Sequence, residues 1–252
     1  MLSDLIALRS MHGRVDGLLV MSPHADEDFL RRNLQVTLPS VLMNTLETNH
    51  DYATLSVDNR SGVRLMLEHL LDCGCQRIAL IQGPARNPDV RVREQAFHEV
   101  LAAHGASEGA VVLPGDFSEQ SGYAAGQQLL TLKPRPDAVF AANDMMAIGC
   151  MAALREAGLR IPDDIAVAGF DDVPMARYVT PPLTTVSVRI AELGRLALEQ
   201  LCMQIAEPGS LMPVHQRVTA TLVIRASTAF RASEPTKTLA TTTTPGAERH
   251  PP

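Results

Sequence analysis

Ala138-Val139-Phe140-Ala141-Ala142-Asn143-Asp144-Met145-Met146-Ala147-Ile148-Gly149-Cys150 is the stretch on which the architecture turns. Five apolar residues run without a charge, two polar residues interrupt them, and the apolar positions that follow return at helical intervals. A short uninterrupted apolar run is what a strand covered on both faces requires. Asn143 is a residue type whose side chain accepts the free N–H groups of a helix start. The stretch therefore reads as a strand from Ala138 to Ala142 that passes into a helix from Asn143 to Ala157. Met146, Ala147, Cys150, Ala153 and Leu154 form its inner face, and Gly158 stops it.

The same alternation recurs outward from this unit. Strand candidates are Val15 to Met21, Ser40 to Asn44, Ala53 to Val57, Arg77 to Gln82, Val111 to Pro114, Ile165 to Gly169 and Thr184 to Val188, with Val214 to Ile224 as one last extended segment. Helix candidates are Met1 to His12, Asn59 to Asp72, Asp89 to His104 and Ile190 to Ile205. Strands that alternate with amphipathic helices make an α/β chain with parallel sheets flanked by helices. From Ser233 to Pro252, a threonine run and four prolines replace large apolar residues, so this tail is expected to be disordered.

Composition narrows the function classes. With 252 residues and 46% hydrophobic content there is material for one large or two small domains. Twenty-two basic residues against 28 acidic ones give a formal charge of −6, which does not suit a free-standing duplex binder. Cys73, Cys75, Cys150 and Cys202 are expected to be reduced thiols in the cytoplasm, because Asp4, Arg9 and His12 break up any secretory apolar core at the amino end. No uncharged apolar run reaches the length of a membrane span.

In an open parallel sheet, ligands bind beyond the carboxyl ends of the strands. Asp58-Asn59, the group Asp89, Arg91 and Arg93, then Asp116-Phe117, Asn143-Asp144 and Asp171-Asp172 follow five successive strand candidates at that edge. Carboxylates, amides and guanidinium groups can exchange hydrogen bonds with hydroxyls while Phe117 covers an apolar face, which suits a small polyhydroxylated ligand. Plainer roles are open to each residue. Asn59 and Asn143 are good helix caps, Asp171 fits an Asx turn before Pro174, Arg91 and Arg93 suit a solvated face, and Phe117 suits a core. Their shared location at one edge favours the ligand reading.

The wording of these segments resembles the LacI/GalR-type transcriptional regulators, in their effector-binding domain of periplasmic-binding-protein type I fold. The resemblance rests on Ser56-Val57-Asp58-Asn59, Glu68-His69-Leu70-Leu71, Gly115-Asp116-Phe117-Ser118, Val139 to Gly149, Gly169-Phe170-Asp171-Asp172-Val173-Pro174 and Thr180-Pro181-Pro182-Leu183-Thr184-Thr185. It spans about Arg14 to Ser227. It implies two lobes with three crossings, near Arg60, Ser187 and Ser210. Residues 1–60 with 187–209 would form an N-terminal lobe lacking its opening strands, 61–186 with 210–231 the second lobe, and 232–252 the tail. It further implies a homodimer, an effector of sugar or nucleoside class in the cleft, and no cofactor. By the same resemblance Arg93 grips ligand hydroxyls, Asp171 is the acidic ligand, Asn143 the amide ligand, Phe117 the stacking ring, and Asp58 a contact from the other lobe. Asn87 and Asp89 fall in the loop that tunes specificity. Val188 stands where some relatives place a polar contact. The helix-turn-helix of such regulators is not among these residues, so operator binding is not expected of this chain by itself.

Two other classes compete. A solute-binding protein of a sugar transport system shares the fold, but the amino end lacks a secretory signal. An enzyme would need an acid/base pair, and Asp171 and Asp172, as neighbours, point opposite ways in extended chain. His24, Asp26 and Asp28 read as helix-capping residues rather than metal ligands, and Cys73 and Cys75 lack a second pair for zinc, so no metal site is expected.

Overall fold

The computed structural model describes residues 11, 13–21, 32, 38–44, 51–207 and 212–228. The expected helix Met1 to His12 (apart from Met11), His24, Asp26 and Asp28, and the tail Ser233 to Pro252 lie outside the described residues. In chain order the strands are β1 (Leu18–Val20), β2 (Ser40–Met43), β3 (Ala53–Val57), β4 (Ile78–Ile81), β5 (Val111–Leu113), β6 (Ala138–Ala141), β7 (Ala166–Ala168), β8 (Thr185–Ser187), β9 (His215–Val218) and β10 (Thr221–Val223). The α-helices are α1 (Asn59–Asp72), α2 (Pro88–Ala103), α3 (Glu119–Thr131), α4 (Asp144–Glu156) and α5 (Ile190–Ala206). Sequence reasoning delimited all of these helices except α3, whose inner face, Gly122, Ala125, Gly126 and Leu129, is too small in side-chain volume to stand out.

Strand β6 is fully buried and lies inside the parallel sheet β5-β4-β6-β7, with Leu80 paired to Phe140 and Val139 to Val167. Side chains alternate across a strand, so its residues divide between two cores. Ile78, Leu80, Ala138 and Phe140 join Val63, Met66, Leu67 and Leu70 of α1 and Phe97 and Leu101 of α2. Ala79, Ile81, Val139 and Ala141 join Leu129 of α3 and Met146, Cys150 and Leu154 of α4. A sheet covered on both faces explains why its strands carry no polar alternation. Helix α4 begins and ends where its chemistry dictates: Asn143 Oδ1 accepts the Met146 N–H at 3.0 Å, and beyond the helix Gly158 takes a φ of +81°, which costs other residues steric strain.

The other parallel sheet is ordered β1-β2-β3-β9, and α5 packs against it through Leu193, Ala197 and Leu201. Among the described residues β1 has β2 as its one partner, and Leu19 is 42% exposed. The segment Val214 to Ile224 corrects the expectation of a single strand. Its first half is β9, parallel to β3; after Thr219 and Ala220 the chain enters β10, antiparallel to β8. The backbone groups of β9 need a ladder, and β3 offers its open edge. His215–Val218 thus belongs to the first sheet, while Thr221–Val223 pairs with β8.

Candidate functional site

Asp58 and Asn59 stand at the carboxyl end of β3, where the chain enters α1. Asp58 caps α1, with Oδ1 accepting the Ser61 N–H at 3.1 Å. Because Asp58 takes the capping role, the Asn59 amide is left for other work, and the expectation that Asn59 caps the helix is corrected. Its Nδ2 donates to Asp89 Oδ1 at 2.8 Å, and its Oδ1 accepts Arg93 Nε at 2.8 Å. A cavity of about 400 Å³ opens beside this pair, lined among others by Ser56, Asp58, Asn59, Pro88, Asp89 and Arg217.

Arg93 is the centre of the arrangement. It is 7% exposed, its guanidinium lies 3.8 Å from the Phe170 ring centroid, one Nη donates to the Ala142 carbonyl, and the other stands 3.7 Å from Asp171 Oδ1. Burial works against its charge, while Asp171, Asp89 and Asp144 hold it. The solvated-face reading thus fails for Arg93 but describes Arg91, which is exposed. The carboxylates show the mirror image. Burial raises the Asp89 pKa against the pull of Arg93 and the Asn59 hydrogen bond. Burial also lifts Asp171 to about 6, with Arg93 opposing and Asp89 adding to the rise.

Three residues here hold backbone that side chains disfavour: φ is +75° at Phe117, +110° at Asp171 and +57° at Asp172. Such strain persists only where the surroundings over-determine it. The Asp171 N–H donates to Val186 O at 2.8 Å, and Asp172 is clamped by Arg225 at 2.5 Å. Asp144 is fully buried; it accepts the Thr185 hydroxyl at 2.5 Å and the Val173 N–H at 2.8 Å, and burial pushes its pKa to about 7. The Phe117 ring lies against Gly83, where any side chain would strike it.

Asn143 is the sequence-predicted contact with the strongest internal claims on it. Its Oδ1 caps α4 and its Nδ2 donates to the Phe117 carbonyl at 3.0 Å, leaving one amide hydrogen free of those two bonds. Val188 is buried in the core. The structure thus joins Asp89 to Arg93 through Asn59, sets Arg93 beside Asp171, and joins Asn143 to Phe117. Sequence reasoning placed Asn59 and Asp144 at this edge without giving them these roles, bridge and buried acceptor, and did not single out Phe170 as the platform under Arg93, because their partners are set by the tertiary structure. One signal was present: with Asp58 in the capping position, Asn59 had no local use.

Cys73 lies near the His69 ring, with Sγ 3.8 Å from Nε2. Burial raises the thiol and lowers the imidazole, which leaves both neutral and unreactive. Among the described residues no group of His, Cys, Asp and Glu could hold a metal ion, and no helix is long and apolar enough to cross a membrane.

A family model described as a periplasmic binding protein-like domain matches residues 67–228. The ribose operon repressor of Escherichia coli strain K12 is 35% identical over 221 residues, which cover 86% of this chain and 66% of that protein. The chain belongs to the periplasmic binding protein-like family, in its LacI type. Solved LacI-type structures agree with the fold. A LacI family transcriptional regulator from Enterococcus faecium with bound ribose matches with a TM-score of 0.82 and 28% identity, over 90% of this chain and 84% of that one. A dimeric Lac repressor with a C-terminal deletion matches with a TM-score of 0.81 and 29% identity, over 90% and 83%. This LacI-type chain accordingly spans just under two thirds of the length of the repressor it matches, and its parallel sheets flanked by helices are those of solved LacI-type structures.

Proposed function

We propose that the chain senses a small polyhydroxylated effector, of sugar or nucleoside class, for a cytoplasmic LacI-type regulator, and that it dimerises. The observation that carries this reading is the relay Asp89–Asn59–Arg93–Asp171, buried at Asn59 and Arg93 and half-buried at its two carboxylates, beside a cavity of about 400 Å³ at the first crossing between the sheets. Three of the five Arg93 N–H groups point at Asn59, Ala142 and Asp171, which fixes the guanidinium plane and leaves two donors for ligand oxygens. Asp171 and Asp89 supply acceptors, Asn143 one further amide hydrogen, and Phe117 an apolar wall. Asp58 stands at the crossing itself, so a ligand held by Asp58 and Arg93 together would set the angle between the lobes. That two of the relatives are named for ribose or hold it supports a sugar.

In this reading the chain transmits ligand occupancy and does not read an operator by itself, since a formal charge of −6 cannot neutralise a run of phosphates. Calorimetric titration with D-ribose and related sugars tests it. Arg93→Ala is expected to weaken the bound sugar by about 2–4 kcal/mol, because a charge-assisted donor is lost while its acceptors stay desolvated. An unchanged affinity would remove Arg93 from the site, and sedimentation showing a monomer at micromolar concentration would remove the dimer.

A further inference from the structure

The turn that carries Asp171 is fastened to chain segments that join the two parallel sheets. Strand β8 runs through Val188 and Arg189 into α5, which packs on the first sheet, and β9 of that sheet runs through Thr219 and Ala220 into β10. The strands β8 and β10 pair with each other, Thr221 opposite Ser187 and Val223 opposite Thr185, so the two connections form one two-stranded ribbon. Residues Gly169 to Val173 brace this ribbon along its length. At the end nearer the first sheet, the Asp171 N–H donates to Val186 O at 2.8 Å and Asp171 bridges to Ser187. At the other end, Arg225 donates through one Nη to Asp172 Oδ1 at 2.5 Å and through the other to the Leu183 carbonyl at 2.7 Å. The Val173 N–H, on Asp144, ties the far side of the turn to α4. The Arg225 and Asp172 side chains are only 13% and 11% exposed, so solvent screens their attraction little. Where β8 gives way to α5, Arg189 takes a φ of +49° and caps the helix with no side-chain bond, which makes this the point at which the ribbon bends most readily.

We propose that Asp172 and Arg225 are positioning residues. Their ion pair latches the ribbon to the turn, sets the angle at which the first sheet stands to the second, and makes Asp171 answer to any change in that angle. Arg93, 3.7 Å from Asp171, then feels the same change. The latch stands on the ribbon itself; only its use in signalling rests on the effector reading just given. A buried pair that merely stabilised the second sheet would, when broken, lower the stability of that sheet and leave the angle alone.

Double electron–electron resonance on the full chain, without ligand, separates the two. One spin label goes on Cys202, exposed on α5, and one on Ala102→Cys, exposed on α2; Cys73, Cys75 and Cys150 are buried. The parent chain should give a single narrow distance. Arg225→Met should widen the distribution by about twofold or split it, because arrangements that the latch excluded become populated. Asp172→Asn, which suits the positive φ at that position, should act in the same direction, and it decides the matter alone if Arg225→Met does not fold. Arg225→Lys keeps a charge against Asp172 and should stay near the parent. Gly149→Ala disturbs the α3–α4 pair away from the ribbon and should leave the distance narrow. An unchanged distribution in folded Arg225→Met and Asp172→Asn overturns the latch, as does a parent already as broad as they are. Widening in Gly149→Ala to the same extent overturns it as well, since lost stability would then move the sheets, and Arg225→Lys behaving as Arg225→Met removes the ion pair from the account. Binding of D-ribose is read separately by calorimetry on the parent chain, so failure of the effector reading leaves the latch to be judged on the distances.

Discussion

Asp144 illustrates how much a single buried carboxylate controls. Its pKa lies near 7 in the folded protein against 3.8 for an unperturbed aspartate, so between those values the native state holds a proton that the unfolded chain has released. Stability must then fall as pH rises through that window, by at most about 1.4 kcal/mol per pH unit from this group. Asp171, near 6, acts in the same direction over the lower part of it. Thermal unfolding measured from pH 5 to 8 should show a falling Tm, and Asp144→Asn should flatten much of the slope above pH 6. At pH 5 it should change stability little, because the amide oxygen can still accept the Val173 N–H while the amide nitrogen, like the protonated carboxyl, donates to the Thr185 hydroxyl. A slope as steep in the variant as in the parent chain would show that other groups govern it. Asn59→Ala orphans Arg93 Nε and one oxygen of Asp89 at once, so a loss of about 1–3 kcal/mol is expected in chemical denaturation.

At the scale of elements, the α3–α4 pair depends on absent side chains. A Cβ on Gly149 would strike the Glu119 carbonyl, and one on Gly122 would strike the Met146 backbone. These obstacles are main chain and cannot rotate away, so overpacking by about 1–3 kcal/mol outweighs the ~1 kcal/mol that alanine gains over glycine inside a helix. Gly194 in α5 offers the contrast, since nothing lies within 4 Å of its missing Cβ. Gly149→Ala should thus destabilise the protein while Gly194→Ala stabilises it by about 0.5–1 kcal/mol. Urea melts of the two variants decide the point, and a shared sign would refute this account of the helix packing. The same small residues hid α3 from periodicity: a helix that packs by close approach has little apolar volume to reveal it.

For the whole molecule, the two parallel sheets are unequally protected. Strands β4 and β6 are paired on both sides and covered on both faces, whereas β1 has a single described partner and exposes Leu19. Amide exchange should open β1 at a much lower free energy than β4 or β6. Equal protection of Leu18–Val20 and Ala138–Ala141 would mean that the first sheet is as well closed as the second.

The sequence by itself determined the α/β class, the position of most strands and helices, and the edge at which the polar residues gather, because these follow from periodicity, capping chemistry and the rule that parallel strands are buried. It placed Arg93 and Asp171 among the candidates without revealing that they face one another. Only the tertiary structure decided that Val214 to Ile224 divides between two sheets, since an alternating segment suits either ladder and the available edge makes the choice. Only it decided that Asn143 is largely engaged in capping and strapping while Asn59, next to a cap, bridges Asp89 to Arg93. Hydrogen-bond partners thirty or more residues apart leave no periodic trace in a sequence, because they are set by which chain ends the fold brings together and not by the residues between them.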